Sequence, residues 1–210
     1  DNATSSSGIQ EIVVTAQRRQ ETLQKVPVAI TAISGEAIAE RGLSNIENVR
    51  YNVPNLTLGT QSGTPRLVIR GVGLEGTVIG QESPIAAHVN GVYLGRPMAL
   101  HAAFFDVDQI EVLRGPQGTL YGRNTTGGAF NVTTRRPGDV WEGYLNARYG
   151  NYNDIKLEGA VGGPLNADGT IAQRFAFNYN KHDGYGRNIT TGVDVDDLKT
   201  YAFRSTTVFK

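Results

Sequence analysis

The chain has 210 residues, enough for one large domain or two small ones. Its 20 basic and 20 acidic residues cancel, so no overall positive field points to a nucleic-acid partner. The lack of cysteine excludes a disulfide scaffold and thiolate chemistry. The sequence has no run of about 18 apolar residues, so it predicts no membrane-spanning helix.

The first predicted elements are a polar leader, a β-prone segment and a small helix. Residues 1–10 are polar and contain serine and glycine, so we predict a disordered leader there. Residues 11–16 form a β-prone run, which charged residues follow. The alternation of residues 27–33 predicts a half-buried strand. A short helix is expected over 35–41, with Ser34 as its N-cap.

Further short elements follow. The residues from Ser44 to Glu47 form a capping box, which predicts a second short helix ending before Pro54. Residues 66–70 are predicted to form a strand. The Asn90-Gly91 dipeptide lies between two β-prone runs, and this arrangement is the strongest short-range signal for a hairpin.

A glycine-rich stretch, VLRGPQGTLYGRNTTGGA, runs from Val112 to Ala129 and joins the β-like runs 109–113 and 129–134. Glycine supplies backbone conformations that are closed to other residues, and proline restricts its own φ. We therefore predict a tightly shaped connection. With the elements before it, this stretch indicates a small α+β domain that ends near residue 137.

The residue pattern of the sequence changes after Trp141. Four longer segments alternate apolar and polar residues and are rich in tyrosine and phenylalanine: 141–149, 154–161, 171–181 and 200–209. A lipid-facing antiparallel barrel wall requires this alternation, because its two faces meet different surroundings. A soluble β-sandwich has the same period, so the segments alone leave both interpretations open.

Several motifs together resemble TonB-dependent outer-membrane receptors. The stretch from Val112 to Ala129 is similar to the segment that ends their plug domain, and residues 11–16 resemble their TonB box. Val68-Ile69-Arg70-Gly71 and Leu113-Arg114-Gly115-Pro116 each place an arginine at the end of a β run. The resemblance covers nearly the whole chain. It implies an α+β plug domain followed by the first antiparallel strands of a transmembrane β-barrel.

This resemblance also implies a domain organisation. We expect a flexible leader with the TonB box over 1–20, a plug domain over 21–137, and about four barrel strands over 138–210. Receptors of this family close their barrels with about 22 strands. An open sheet edge in lipid would leave backbone groups unpaired. We therefore expect the chain to be the N-terminal part of a longer polypeptide.

The resemblance also assigns roles to individual residues. The TonB box would add as a strand to a sheet edge of the partner TonB through main-chain hydrogen bonds; it comprises Glu11, Ile12, Val13, Val14, Thr15 and Ala16. Arg70 and Arg114 would lock the plug to glutamates of the inner barrel wall, which we expect after residue 210. An ordinary N-terminal strand and solvated strand-end arginines are the alternatives. The candidate ligand-binding residues, each of which could instead be an exposed loop residue, are Gln61, Gln81, Glu82, Arg96, Met98 and His101.

The function implied by the resemblance is active uptake across the outer membrane of a Gram-negative bacterium, with the plug facing the periplasm. Its partners would be TonB with its inner-membrane motor, outer-membrane lipid and a small ligand. A ferric siderophore is the first expectation for the ligand, and glycan, cobalamin or another nutrient is the alternative. A receptor that signals to a periplasmic anti-sigma factor is another alternative, and the short leader favours transport without direct signalling. A soluble carbohydrate-binding β domain is the third hypothesis.

The sequence offers no support for catalysis. No nucleophile, base and acid stand in a recognisable order, and no cofactor fingerprint is present, so we expect neither an enzyme nor a cofactor. The three histidines, His88, His101 and His182, are far apart and lack carboxylates at ligand spacing. A metal site held by the protein is therefore not expected.

Overall fold

The computed structural model describes residues 13–14, 21–43, 46–61, 64–74, 82–95, 99–100 and 104–210, without the side chains of 60, 61, 64 and 65. The chain divides into two compact units. The first unit comprises Asp1–His101 and Gln109–Thr133, and the second comprises Ala102–Asp108 and Thr134–Lys210. The short segment Ala102–Asp108 thus groups with the C-terminal part of the chain.

The N-terminal two thirds of the chain consist of short strands and short helices. In chain order they are β1 (Val13–Val14), β2 (Glu21–Thr22), a 3₁₀ helix (Leu23–Lys25), β3 (Ile30–Ser34), α1 (Gly35–Glu40), a second 3₁₀ helix (Ile46–Tyr51), β4 (Leu56–Gln61), β5 (Thr64–Ile69), β6 (Val72–Gly73), β7 (Ile85–Val89), β8 (Val92–Leu94), β9 (Val107–Arg114), α2 (Gly118–Tyr121) and β10 (Gly128–Thr134).

A five-stranded mixed sheet in the order β3-β9-β10-β7-β8 forms the centre of the first unit. Strands β10 and β7 run parallel, whereas β3 pairs antiparallel with β9 and β7 with β8. Strand β7 is buried at four successive positions from Ile85 to His88. Such continuous burial is typical of a strand that is covered on both faces. Strands β4, β5 and β6 form a separate antiparallel sheet.

The predicted local signals are present in this part of the chain. The Ser34 hydroxyl accepts a hydrogen bond from the Ala37 amide at 3.2 Å and so caps α1. The hairpin between β7 and β8 turns at Asn90 and Gly91, whose φ angles are 51° and 79°. Two positive φ angles at the turn are the signature expected of this dipeptide. The second predicted helix forms as the 3₁₀ helix Ile46–Tyr51, while Ser44 of its predicted capping box lies outside the described residues.

Backbone hydrogen bonds within the glycine-rich connection between β9 and β10 determine its shape. The Gly115 amide donates to the Gly127 carbonyl at 3.1 Å, and the Gln117 amide donates to the Thr125 carbonyl at 2.9 Å. Gly128 has a φ of 147°, and a Cβ atom there would lie 2.2 Å from the Leu113 carbonyl oxygen. Only glycine therefore allows β9 and β10 to approach each other at this point.

The second unit is built on four long strands that form an antiparallel meander. They are β11 (Glu142–Gly150), β12 (Asp154–Pro164), β13 (Ile171–His182) and β16 (Leu198–Phe209). A 3₁₀ helix (Asn151–Asn153) joins the first pair, and a small hairpin of β14 (Gly186–Arg187) and β15 (Asp194–Val195) lies in the longest connection. None of the described helices has the length and apolar character to cross a bilayer.

The register of this four-stranded sheet separates its side chains into two faces. The apolar face carries Leu145, Ala147, Tyr149, Ile155, Leu157, Val161, Phe175, Phe177, Tyr179, Tyr201, Phe203 and Phe209. The polar face carries Glu142, Tyr144, Asn146, Arg148, Lys156, Glu158, Arg174, Asn178, Asn180, Thr200, Arg204 and Thr206. Phe203 on the apolar face is 80% exposed. The predicted fold class, an α+β domain followed by antiparallel strands, is confirmed, and the four strands do not close into a barrel.

We expect Gly128→Ala to destabilise the connection between β9 and β10 by at least about 2 kcal/mol, because the new methyl group meets a backbone carbonyl and the φ angle is strained. Hydrogen exchange of the amides of β9 and β10, followed by mass spectrometry, measures the loss. Gly59→Ala is the matched control, since a Cβ atom there meets nothing within 4 Å. Equal protection in the two variants would contradict the prediction.

Candidate functional site

A buried ion pair lies on the polar face of the four-stranded sheet. Arg174 donates from Nε to Asp106 Oδ2 at 2.9 Å and from Nη2 to Asp106 Oδ1 at 2.7 Å. The two side chains are 2% and 1% exposed. The guanidinium thus binds the carboxylate through two parallel hydrogen bonds, the strongest geometry available to this pair. Both residues belong to the second unit.

The backbone of Asp106 is unusual, and its neighbours hold it. Its φ angle is 49°, in the left-handed region that aspartate tolerates better than most residues. The Asp106 amide donates to Glu158 Oε1 at 3.2 Å, and the Asp106 carbonyl accepts from the Arg135 amide at 3.0 Å. These two contacts fix the backbone at the point where β9 begins.

Phe105 and Arg204 complete the attachment of this segment. The Phe105 side chain is buried against Ala160 and Ala176, with Tyr144 and Ala202 beside it. The Arg204 guanidinium lies 4.3 Å from the centre of the Phe105 ring and donates to the Phe105 carbonyl at 2.7 Å. The small alanine side chains leave the space that the ring fills. We refer to Phe105, Asp106, Arg174 and Arg204 as the Asp106 anchor.

Carboxylates and cations around the anchor balance each other. Arg174 also pairs with Glu142 at 3.2 Å, and Lys156 pairs with Glu158 at 3.5 Å. The Tyr144 hydroxyl donates to Glu158 Oε1 at 2.9 Å. Each buried charge therefore has an opposite charge nearby, which burial of ions requires.

A glycine makes room for the Arg174 side chain on this face. Gly162 stands opposite Arg174 in the register of β12 and β13. A Cβ atom on Gly162 would lie 2.9 Å from the Cβ and Cγ atoms of Arg174. The arginine therefore passes over the glycine toward Glu142 and Asp106. This arrangement binds one segment of the chain to the sheet, and no reacting group takes part in it.

The structure places part of the predicted TonB box. Val13 and Val14 form β1, which pairs antiparallel with Glu21–Thr22. The Val13 carbonyl accepts a hydrogen bond from Gln109 Nε2 at 3.0 Å. Val14 is fully buried, whereas Val13 is 48% exposed. The other four predicted residues, Glu11, Ile12, Thr15 and Ala16, lie outside the described residues.

The two arginines of the predicted lock end strands of the first unit. Arg70 lies in the turn after β5, is exposed, and has a φ of 51°. Arg114 is the last residue of β9 and is partly buried. Within the described part of the chain, the buried Nε atom of Arg114 has no hydrogen-bond partner. Their role as a lock stays a prediction.

Among the predicted ligand-binding residues, only Glu82 has a described side chain. Its carboxylate pairs with Arg123 at 3.4 Å and accepts a hydrogen bond from Asn124 Nδ2 at 2.5 Å. Gln61 ends β4, and its side chain is not described. Gln81, Arg96, Met98 and His101 lie outside the described residues. The described residues contain no group of three side chains that could hold a metal ion.

Sequence reasoning missed the Asp106 anchor. The available signal was an arginine in the middle of β13 and another in β16, both in step with alanines rather than with the aromatic residues. A cation at such a position predicts a carboxylate partner. The partner, Asp106, is 68 residues away in the chain, and no local pattern connects the two.

Comparison with known proteins places these observations in a family context. The family model described as the TonB-dependent receptor plug domain matches residues 22–129. The ferric enterobactin receptor of Pseudomonas aeruginosa is 32% identical over 91% of the chain and 28% of its own length. The vitamin B12 transporter BtuB of Vibrio vulnificus is 27% identical over 84% of the chain, again covering 28% of the relative.

A solved structure shows the same fold. The ferric yersiniabactin uptake receptor FyuA from Yersinia pestis is similar over 86% of the chain, with a TM-score of 0.73 and 25% identity. The chain covers 28% of that structure. The match extends beyond the family model, and it therefore includes strands of the second unit. The chain spans little more than a quarter of the length of each of these relatives.

We expect Arg174→Met to lower the opening free energy of residues 104–107 by about 3–5 kcal/mol, because it leaves the Asp106 carboxylate buried without its main partner. Hydrogen exchange on the complete protein in a membrane mimic measures the change. Arg148→Met is the control: Arg148 pairs with Asp154 at 2.9 Å but is half-exposed, so its loss should cost at most about 1 kcal/mol. A similar loss of opening free energy in both variants would show that the buried Arg174–Asp106 pair contributes no more than an exposed ion pair.

Proposed function

We propose a transport role from the premise that this chain belongs to the TonB-dependent receptor plug domain family. The proposed activity is TonB-dependent uptake of a scarce ligand across the bacterial outer membrane. One observation carries it: a plug domain is followed directly by a sheet with one apolar and one polar face. Within this proposal we call the four-stranded sheet the wall.

The apolar face supports a location in the outer membrane. It exposes Leu145, Phe175 and Phe203, and it presents tyrosines near one end. A soluble protein rarely exposes a continuous apolar surface of this kind. A lipid-facing wall requires one, with aromatic residues at the membrane boundary. The same face argues against a soluble carbohydrate-binding domain.

The polar face would then line the inside of the barrel. The Asp106 anchor lies on this face and holds residues 105 and 106 against β12, β13 and β16. A segment of the plug sequence is in this way attached to the wall by buried ion pairs. Buried pairs of this kind favour one position over others more than they add net stability.

The energy for uptake would come through the segment 11–16. In the proposed mechanism the partner TonB binds this segment as an added strand and pulls on it, driven by its inner-membrane motor. The pairing of β1 with β2 supports this role, because Val13 and Val14 adopt an extended, strand-forming conformation. Only two of its six residues are described.

A ferric siderophore is the proposed ligand. Two of the compared proteins are named for ferric siderophores, enterobactin and yersiniabactin. Cobalamin is the second candidate, because a vitamin B12 transporter is similar over nearly as much of the chain. The compared proteins are receptors and transporters, and we propose no catalytic activity. The ligand would contact residues among Gln61, Gln81, Glu82, Arg96, Met98 and His101, of which Glu82 also pairs with Arg123 at the surface.

We also propose that Arg70 and Arg114 hold the plug in the barrel through glutamates of the inner wall. The partly buried side chain of Arg114, whose Nε atom has no hydrogen-bond partner among the described residues, supports this role, since a buried cation needs an anionic partner. An arginine suits it because its fork binds a carboxylate through two hydrogen bonds and stays charged.

Val13→Pro should abolish uptake of radiolabelled ferric siderophore and leave ligand binding at the cell surface intact, because proline removes the amide that a partner strand needs. Val13→Ala is the matched control. The receptor with this substitution should transport normally, since binding through main-chain hydrogen bonds tolerates side-chain changes. Uptake is measured in iron-starved cells that express the complete receptor. Normal uptake with Val13→Pro would overturn the TonB mechanism. Uptake of labelled cobalamin but not of iron would change the ligand and keep the mechanism.

Arg114→Ala should loosen the plug and let bulky antibiotics leak through the barrel, because the guanidinium would no longer pair with the wall. Growth inhibition by a large antibiotic that normally fails to cross the outer membrane measures the leak. Arg123→Ala serves as the control, since Arg123 is 77% exposed and pairs at the surface. Unchanged leakage in Arg114→Ala would count against the lock.

A further inference from the structure

Two lysines face each other on the otherwise apolar face of the four-stranded sheet. Lys181 of β13 pairs directly with Lys199 of β16. Alternation along β13 places Lys181 on the same face as Tyr179 and Phe177. Lys199 is in step with Tyr201 and Phe203 in the same way. Both cations therefore lie at the margin of the apolar surface.

This pairing is unfavourable as it stands. The Cβ atoms of directly opposed residues lie about 4.5–5.5 Å apart, and like charges at that distance repel. Neither lysine has a hydrogen-bond or ion-pair partner in the part of the chain that the structure describes. The cations of the polar face differ, since Lys156 pairs with Glu158 and Arg174 with Asp106. Among the described residues, no direct ion pair offsets the repulsion between the two lysines.

The position of the pair indicates where an anion that offsets this repulsion comes from. The lysines form the last row of the apolar face, next to the connection 183–197. This is the longest connection of the sheet: residues 165–170, at the opposite end of β13, are shorter, and Asn151–Asn153, at the same end, join β11 to β12. In outer-membrane barrels the long connections face outward and the short turns face the periplasm. On the proposed function, the pair therefore lies at the outer boundary of the membrane, where lipid headgroups begin.

We propose that Lys181 and Lys199 bind the phosphate of an anionic lipid headgroup in the outer leaflet. Their ammonium groups reach the headgroup level while their stems lie along the apolar surface. The neighbouring Tyr179 and Tyr201 are directly opposed in the next row and place hydroxyl donors at the same boundary. Phe177 and Phe203 in the row beyond would contact the acyl chains.

Carboxylates also flank the pair in the sequence. Asp196 and Asp197 precede β16, and Asp183 follows β13 and accepts a hydrogen bond from Asn153. These carboxylates disfavour an anion nearby. Loss of either lysine would make the local charge more negative, and two cations side by side can hold one phosphate between them.

Native mass spectrometry of the complete receptor in detergent tests the site, with dioleoyl phosphatidic acid and dioleoyl phosphatidylcholine as the probes. Each of Lys181→Ala and Lys199→Ala should weaken phosphatidic acid binding about fivefold, and the double variant about 25-fold, since a cation at a membrane surface contributes about 1 kcal/mol. Phosphatidylcholine binding should not change. Lys210→Ala removes one positive charge near the other end of β16 and is the matched control.

One further double variant and one competitor decide the outcome. Lys181→Arg with Lys199→Arg keeps both cations and should retain binding, which separates loss of charge from loss of folding. Inorganic phosphate should not compete at millimolar concentration, because the apolar surface binds the acyl chains. Unchanged phosphatidic acid binding in the double alanine variant, or full competition by free phosphate, would overturn the lipid site. A receptor that transports normally but shows this result would leave the proposed function intact.

Discussion

The constraint behind the second unit is that a strand presents successive side chains to opposite faces of its sheet. Because β11, β12, β13 and β16 keep one register over their whole length, this alternation collects most of the aromatic side chains on one face and most of the charges on the other. A slip of one residue would exchange the two sets. The Asp106 anchor, the exposed aromatic surface and the lysine pair all depend on this register.

The anchor shows what a buried charge demands of its surroundings. The Asp106 carboxylate loses its water, so it needs two hydrogen bonds from Arg174 and the nearby charge of Arg204. Arg174 can reach it only because Gly162 leaves its side chain a path. Ala160 and Ala176 are small, and the Phe105 ring fills the remaining space. The small residues of the four-stranded sheet and the large or charged residues of segment 105–106 are therefore complementary.

The first unit uses glycine for a different purpose. At Gly128 the backbones of neighbouring strands approach so closely that no Cβ atom fits. The connection before it is closed by main-chain hydrogen bonds, such as that from Gly115 to Gly127. Side chains then tie the connection to the rest of the sheet: Asn124 contacts Glu82 and the Tyr93 hydroxyl, and Asn131 donates to the Tyr121 hydroxyl. The family's glycine-rich motif thus has a structural role: it lets neighbouring strands approach closely and closes the connection between them.

The sequence by itself determined those features whose causes are local. Asn90-Gly91 produced the hairpin because both residues accept positive φ angles, Ser34 capped α1, and the alternation after Trp141 predicted the two-faced sheet. The glycine-rich motif identified the family. The tertiary structure alone decided which distant residues meet. The pairing of Asp106 with Arg174 and the packing of Phe105 between alanines depend on strands that lie far apart in the chain, as does the opposition of Lys181 and Lys199 across two strands. Such contacts follow from register and chain path, which a short-range pattern cannot encode because the partners share no local signal.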